Sequence, residues 1–208
     1  YMHTGFIIEL DEWNGEEWTM NGLSQKIYLK LTPPSEADAR DAAHRICDAL
    51  EPDFGRVRIA LCAMRKLYPL CEGAEWRLTV SLAKSGAEWV LADVEPGDQR
   101  EHHVGLAVDL GSTSVVMQVV DMNTGKAIAQ KSAVNRQVTH GDEILSRIFY
   151  AHGYPERIDE LRRLTVASIQ GLMEELSQET GIDLSQCAAM ALAANTTMVH
   201  FLLGLDAF

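Results

Sequence analysis

The sequence is poor in basic residues: 18 Lys and Arg stand against 30 Asp and Glu, for a formal net charge of −12. Nucleic acids and anionic membranes are bound through clustered Lys and Arg, so this balance disfavours both kinds of partner. No apolar run approaches the roughly 18 to 20 residues that a membrane-spanning helix needs. A basic start followed by an apolar stretch, the mark of a signal peptide, is also missing. We therefore expect a cytoplasmic protein with neither nucleic acid nor membrane as a partner.

Cysteines are few and widely spaced, at Cys47, Cys62, Cys71 and Cys187. No two of them have the C-x-x-C spacing typical of zinc and iron–sulfur ligands, so free thiols in a reducing compartment are expected. His102 and His103 stand together, but no cluster of Cys or carboxylates accompanies them. A solvated linker is therefore favoured over a metal site.

A polar, turn-rich stretch at 95–103 divides the sequence into two patterned parts. We predict a linker segment and a small α/β domain within 1–100, and a second, incomplete domain at 104–208. The elements predicted before the division are a strand at 27–31, a helix from the capping box Ser35-Glu36-Ala37-Asp38 to Leu50, a helix at 57–67 and strands at 76–82 and 88–94.

The second part has the predicted order β-β-β-α-β-α. Its elements are strands at 105–110, 115–120 and 126–134, a helical segment from Asp142 to Thr180 broken at 152–155, a strand at 187–194 and an apolar segment after Asn195. This order opens the RNase H-like fold that actin, sugar kinases and heat-shock chaperones share. The predicted class is α/β (α+β). Because 200–208 is an apolar stretch without a polar tail, we expect a piece of a longer protein.

The loop Asp109-Leu110-Gly111-Ser112-Thr113-Ser114 joins the first two strands of the second part. A carboxylate at a strand end can hold Mg²⁺ or orient a water, and Gly lets the backbone pass close to a phosphate. The hydroxyls of Ser112, Thr113 and Ser114 add donors to the N–H groups of a tight turn. There is no G-x-x-x-x-G-K-[ST] P-loop, and an ordinary hairpin turn is the alternative. We predict a phosphate loop for ATP and Mg²⁺, in which Asp109 is the catalytic and metal-binding residue and Gly111–Ser114 bind nucleotide.

Two further segments are candidates for the same site. Asn195, Thr196 and Thr197 follow the fourth strand, whose end faces the nucleotide cleft in this fold; a helix cap is the compatible alternative. Asn135-Arg136-Gln137 with Gly141-Asp142-Glu143 form the other segment, where Arg136 could pair with an anion. From spacing alone, a surface loop is an equal interpretation of that segment.

Three segments resemble one family in their order of residues: Val-Asp-Leu-Gly-Ser-Thr-Ser at 108–114, Asn-Arg-Gln-Val-Thr-His-Gly-Asp-Glu-Ile-Leu-Ser-Arg-Ile at 135–148 and Ala-Asn-Thr-Thr-Met-Val-His-Phe-Leu-Leu-Gly at 194–204. Together they resemble the reductive activators of corrinoid proteins, relatives of acetate and sugar kinases, heat-shock chaperones and actin. The first segment is shared by that superfamily, and the later two are more specific. Residues 28–35 are similar to the strand that opens the family's middle domain, so the resemblance covers nearly the whole chain.

The resemblance implies a function for the longer protein. Such proteins use ATP to drive the reduction of an inactive Co(II) corrinoid protein to Co(I), which is then methylated again in a methyl-transfer pathway. Electrons come from an iron–sulfur cluster, [2Fe-2S], in an N-terminal domain that this chain lacks. The second half of the ATPase domain, with its second phosphate loop, is absent too. Ala194 also stands where the family has Gly, so the backbone there approaches a ligand less closely.

Two other classes of function remain open. A small-molecule kinase of the same superfamily would need a catalytic carboxylate near the end of the fourth strand, and Asn195-Thr196-Thr197 has none. A non-catalytic module could dock a corrinoid protein or dimerise. We expect the isolated chain not to hydrolyse ATP at a useful rate. We also expect a homodimer, formed through the apolar faces of 158–176 and 199–208.

Overall fold

A computed structural model of the chain describes residues 24–208. Residues 1–23, which belong to the predicted first domain, lie outside the described residues. The first sheet and its helices comprise β1 (Ser24–Lys30), α1 (Ala42–Phe54), β2 (Val57–Ile59), α2 (Leu61–Gly73), β3 (Arg77–Ser85) and β4 (Glu88–Pro96). The strand order is β1-β3-β4-β2, with β2 parallel to β4 and the other neighbours antiparallel.

One hydrophobic core joins this sheet to its two helices. Ile46 and Leu50 of α1 and Ala63 of α2 are buried together with Leu78 and Leu82 of β3. Because apolar residues recur at helical spacing in α1 and α2, each helix presents an apolar stripe to the sheet.

Two predictions for this part are wrong in detail. The first helix begins at Ala42, because Asp41 caps it by accepting a hydrogen bond from the His44 N–H group. Residues 35–38 instead form a tight turn, held by two backbone hydrogen bonds between Ser35 and Asp38. The predicted helix at 57–67 starts only at Leu61, because Val57–Ile59 pairs with β4 as an edge strand.

The second sheet matches the predicted order of elements. It comprises β5 (Val104–Leu110), β6 (Ser114–Asp121), β7 (Ala127–Val134), α3 (Ile144–Ala151), α4 (Pro155–Thr180), β8 (Ala189–Ala194) and α5 (Thr196–Leu203). The strand order is β7-β6-β5-β8: β5, β6 and β7 form an antiparallel meander, and β8 is parallel to β5. The chain is therefore a mixed α/β protein with two mixed sheets, and the order of elements in its second part is consistent with the start of an actin-like ATPase fold, as predicted.

The helices cover one face of the second sheet. Leu106, Val108 and Leu110 of β5 are buried against α4 and α5, among them Leu161 and Phe201. Side chains alternate between the two faces of a strand, so Asp109 lies on the opposite face of β5, where it is exposed.

Of the two segments expected to mediate self-association, only 199–208 exposes apolar side chains. Ile158, Leu161 and Leu176, the apolar side of α4, are buried in the core of the second sheet and cannot contact another molecule. Exposed apolar side chains of the second part include Phe149 on α3 and Phe208 in the expected segment 199–208, whose ring centroids are 6.2 Å apart. The helix face at 158–176 is therefore excluded as a dimer surface.

Phe201 is expected to be critical for stability. Its ring is fully buried in the core of the second sheet, so Phe201→Ala should lower the free energy of unfolding by about 3–5 kcal/mol. Phe149→Ala is the matched control: this ring is 66% exposed, and its loss should change stability by no more than about 0.5 kcal/mol. Urea unfolding followed by circular dichroism measures both, and equal effects of the two changes would contradict this core assignment.

The connection between the sheets is not a solvated linker. Thr79 Oγ1 donates to the Gly97 carbonyl oxygen at 2.8 Å, and the Met122 N–H donates to the His103 carbonyl oxygen at 2.8 Å, so the connection is bonded to both sheets. His103 is 3% exposed, and its Nε2 shares a hydrogen bond of 3.1 Å with Ser24 Oγ. The predicted solvated histidine pair is therefore wrong for His103, whereas His102 is exposed.

Stability is expected to fall in mild acid because of His103. Burial lowers the pKa of His103, and the neighbouring Lys26 charge acts in the same direction. Below about pH 6.5, the usual pKa of His, the unfolded chain takes up a proton that the folded chain does not, so the free energy of unfolding decreases with falling pH. His103→Gln should flatten this dependence between pH 7.5 and 5, and His102→Gln should not. Urea unfolding across that range tests it, and identical pH profiles for the wild type and His103→Gln would refute it.

None of the helices within residues 24–208 is long and apolar enough to cross a bilayer.

Candidate functional site

The two predicted binding segments come together at one edge of the second sheet. The parallel register of β5 and β8 places Leu110 beside Ala194, so both strands end at the same level. The loop that starts at Gly111 and the segment that starts at Asn195 leave the sheet side by side. Ligands of open α/β sheets bind outside the carboxyl ends of strands, and this edge has that position.

Asp109 is the carboxylate of this edge. It pairs with Val116 on β6 and Ala193 on β8, and its side chain is exposed. Within residues 24–208, no three His, Cys, Asp or Glu side chains gather to form a metal site by themselves. Mg²⁺ at phosphate sites is commonly held by one or two carboxylates together with phosphate oxygens and water, and a single exposed Asp beside the loop fits that donor set.

Gly111 has a steric reason to be glycine. A Cβ on this residue would lie 2.6 Å from the Ser114 carbonyl oxygen, much closer than two such atoms can approach. The obstacle is backbone, so it cannot swing aside as a side chain would. The tight turn of the loop therefore depends on Gly at this position.

Asn135 and Arg147 hold the loop from its inner side. Asn135 Nδ2 donates to the Gly111 carbonyl oxygen at 2.9 Å, and the Asn135 N–H donates to the Thr113 carbonyl oxygen at 2.8 Å. Arg147 Nη1 donates to the Ser112 carbonyl oxygen at 2.6 Å. Three successive carbonyl groups of the loop are thus fixed by two buried residues, two of them by side chains and the third by the Asn135 backbone N–H.

Gln137 fixes these side chains in turn. Its N–H donates to Asn135 Oδ1 at 3.0 Å, and its Nε2 donates to Thr165 Oγ1 on α4 at 2.7 Å. Asn135, Gln137 and Thr165 are fully buried. Arg136, the anion-pairing candidate, is exposed, with a guanidinium nitrogen close to Gly171 on α4. In this segment it is Asn135 and Gln137, rather than Arg136, that reach the loop and its support.

Arg147 is the residue that sequence reasoning missed. Ile144, Leu145, Ile148 and Phe149 predicted an apolar face for α3, yet Leu145 and Phe149 are more than half exposed and Arg147 is fully buried. The signal was its spacing: Arg147 lies three residues after Ile144 and four before the buried Ala151, on the inward stripe of the helix.

Asn195 caps α5. Its Oδ1 accepts a hydrogen bond from the Met198 N–H at 3.0 Å, so the capping interpretation is observed. Asn195 and Thr196 are exposed, and Thr197 is half-buried. Because the cap lies next to the Gly111 loop, the exposed side chains remain available to a ligand at this edge.

A cavity of about 520 Å³ lies at the opposite end of β5, lined by Asp98, Arg100, Glu101 and Asn123. Two of its three charged side chains, Asp98 and Arg100, form an ion pair with each other. The cavity has no glycine loop and contains none of the predicted site residues, so it is not the candidate site.

Comparison with known proteins decides between the families that share this fold. Residues 104–208 match the family model described as the RACo middle region, and residues 14–101 match the RACo linker region. The chain belongs to the RACo family. These proteins are reductive activators of corrinoid proteins, which confirms the resemblance. Their linker region corresponds to the part that the resemblance treated as the middle domain.

Two similar proteins are much longer than this chain. RamQ, a corrinoid activation enzyme of Eubacterium limosum, is 28% identical over 117 residues, which are 56% of this chain and 20% of RamQ. A solved structure of a reductive activator for a corrinoid, iron-sulfur protein is 27% identical, with a TM-score of 0.80. The match covers 92% of this chain and 31% of that one. The matched part of this chain thus spans less than a third of the solved relative and a fifth of RamQ.

Proposed function

We propose that this chain supplies the first phosphate loop of the ATP site in a RACo-type activator. Asp109 would hold Mg²⁺ or orient water, Gly111, Ser112, Thr113 and Ser114 would bind phosphate, and Asn195, Thr196 and Thr197 would line the same cleft. The observation that carries the proposal is the register of β5 and β8, which sets both segments side by side at the strand ends. We also propose that the chain forms two domains, residues 1–100 and residues 104–208.

The donor set of the loop supports phosphate binding. Within residues 24–208, the N–H groups of Ser112 and Thr113 donate to no backbone or side-chain acceptor. Free N–H groups of a tight turn are the usual ligands of phosphate oxygens. Mg²⁺ held beside Asp109 would neutralise negative charge on the phosphates. This chain's own contribution is to position those phosphates and the Asp109 carboxylate.

The whole protein would use this site to restore a corrinoid partner. We propose that ATP drives the transfer of one electron from a [2Fe-2S] cluster in another domain to Co(II), giving Co(I) for methyl transfer. The site would thus serve a cytoplasmic activator rather than a kinase. A small-molecule kinase is disfavoured because the segment after β8 offers only Asn195, Thr196 and Thr197, with no catalytic carboxylate.

We also propose that the protein forms a homodimer. The exposed Leu145 and Phe149 on α3, together with Phe208, form an apolar surface that a second subunit would cover. Sedimentation equilibrium of the chain is the measurement, and a monomer at tens of micromolar would count against it.

The proposed function is tested by corrinoid absorbance. The intact protein is mixed with a Co(II) corrinoid protein and a reductant for its cluster, with and without ATP and Mg²⁺. The proposal expects Co(I) to accumulate only with ATP. Reduction that is equally fast without ATP would favour the non-catalytic docking role for this chain.

A further inference from the structure

We propose that Arg147 is a positioning residue of the phosphate loop. Its guanidinium turns the Ser112–Thr113 peptide so that the Thr113 N–H faces the nucleotide phosphates, and it supplies the buried positive charge that Lys supplies in a P-loop. The inference rests on the proposed function, because it concerns how that same loop binds phosphate.

The orientation of the loop peptides follows from what holds their carbonyl groups. The Gly111 carbonyl accepts from Asn135 Nδ2, and the Ser112 carbonyl accepts from Arg147 Nη1. No peptide bond in the described residues is cis, and in a trans peptide the N–H points opposite to the C=O. The N–H groups of Ser112 and Thr113 are therefore turned away from Asn135 and Arg147, toward the outer side of the loop.

Two successive N–H groups turned to the same side form a concavity that suits an anion. No acceptor within residues 24–208 takes either of them, as noted above. Without the guanidinium, the Ser112 carbonyl would lose its hydrogen-bond donor and the Ser112–Thr113 peptide could rotate. The Thr113 N–H would then no longer point toward the proposed phosphate position.

The charge of Arg147 has no close counter-ion in the described part of the chain. Its side chain is fully buried, and its acceptors are neutral oxygens: Ser112 O at 2.6 Å, Gly141 O at 2.8 Å, Asp142 O at 3.4 Å and Gln137 Oε1 at 3.5 Å. Burial lowers the pKa of Arg147, while the exposed Asp142 carboxylate acts from a distance in the opposite direction. An arginine stays charged even so.

A buried charge without a partner is costly, and an anion near it offsets part of that cost. The outer side of the Ser112–Thr113 peptide, across from the guanidinium, is where the proposed phosphates would lie. Arg147 would therefore bind phosphate indirectly, through the dipole of the peptide that it holds and through its own field. This explains how a loop without Lys can select an anionic ligand.

Arg45 provides a matched comparison. It is also buried and also donates to two backbone carbonyls, those of Arg40 at 3.0 Å and Asp38 at 2.7 Å, but it belongs to the first sheet. Unlike Arg147, it has a carboxylate partner, with Nη1 lying 3.0 Å from Asp38 Oδ2. Removing Arg45 therefore reports the cost of losing a buried arginine without touching the loop.

The experiment compares ATP with adenosine, which carries no phosphate, as ligands of the intact protein. Calorimetry gives Kd for the wild type, Arg147→Met, Arg147→Lys and Arg45→Met. The loss of a hydrogen bond from a charged group corresponds to a roughly 10- to 150-fold change in Kd. Arg147→Met should therefore raise the Kd for ATP by about that factor and leave the Kd for adenosine nearly unchanged. Arg147→Lys, which keeps the charge but not the fork, should recover part of the ATP affinity, and Arg45→Met should bind ATP like the wild type.

The possible results distinguish failure of the role inferred for Arg147 from failure of the proposed ATP site. Wild-type protein that does not bind ATP overturns the proposed function and the inference with it. The inference alone is overturned if the wild type binds ATP but Arg147→Met has the same ratio of Kd for ATP to Kd for adenosine as the wild type. A purely structural role of Arg147 would weaken the binding of both ligands alike. If Arg147→Met does not fold, Arg147→Lys decides: equal losses for ATP and adenosine contradict the proposal.

Discussion

Replacing Asp109 by Ala in the intact protein is expected to reduce ATP-dependent Co(II) reduction by at least about 100-fold, the scale seen when a preorganised group at a transition state is removed. The side chain is exposed and contributes nothing to the core, so the variant should fold normally. Its loss would leave Mg²⁺ or the attacking water without its position at the phosphates. The measurement is the rate of Co(I) appearance by absorbance, with and without ATP.

Asp53→Ala is the control for this change. Asp53 is an exposed carboxylate on α1, the helix that packs on the first sheet. It forms no ion pair within the described residues. It should therefore keep full activity. A folded Asp109→Ala protein with normal ATP-dependent activity would show that the phosphate loop has been assigned to the wrong residues.

Gly111→Ala is expected to weaken ATP binding by more than about tenfold, because losing even one charged hydrogen bond has that effect. The added Cβ would lie 2.6 Å from the Ser114 carbonyl oxygen, and the backbone must move to relieve the clash. Such a movement displaces the N–H groups of Ser112 and Thr113. Titration of the intact protein with ATP measures the effect.

Gly105→Ala is the matched control, because Gly105 lies on β5, the strand that leads into the loop. A Cβ there would lie 2.6 Å from Met122 Sδ, the far end of a flexible side chain that can turn away. The change lies at the opposite end of β5 from the loop, so ATP affinity should stay near the wild-type value. Equal effects of the two substitutions would mean that Gly111 has no special part in binding.

Much of the fold could be predicted because its signals are local. β5 and β6 are continuous apolar strands around a short polar loop, and α4 is a long periodic helix that ends at Gly181 in the left-handed conformation. β2 was missed because three residues are too few to show alternation. The start of α1 was misplaced because Ser35 and Asp41 are both plausible caps, and only tertiary structure chooses between them.

The support of the candidate site could not be predicted in the same way. In the sequence, Arg147 is 35 residues from Ser112, whose carbonyl it binds, and Asn135 is 24 residues from Gly111, whose carbonyl its side chain binds. Such pairs depend on how α3 and the segment after β7 pack against the loop, which no local pattern encodes. The buried Arg also breaks the rule that a helix stripe facing the core is apolar, and a functional site is where such exceptions concentrate.

The central claim is that nucleotide phosphates bind at the Gly111–Ser114 loop. A crystal structure of the intact protein with Mg²⁺ and a non-hydrolysable ATP analogue tests it most directly. The account predicts phosphate oxygens within hydrogen-bond distance of the Ser112 and Thr113 N–H groups and Mg²⁺ beside Asp109, directly or through water. Phosphates bound elsewhere, such as in the cavity lined by Asp98 and Asn123, with the loop unoccupied, would contradict it.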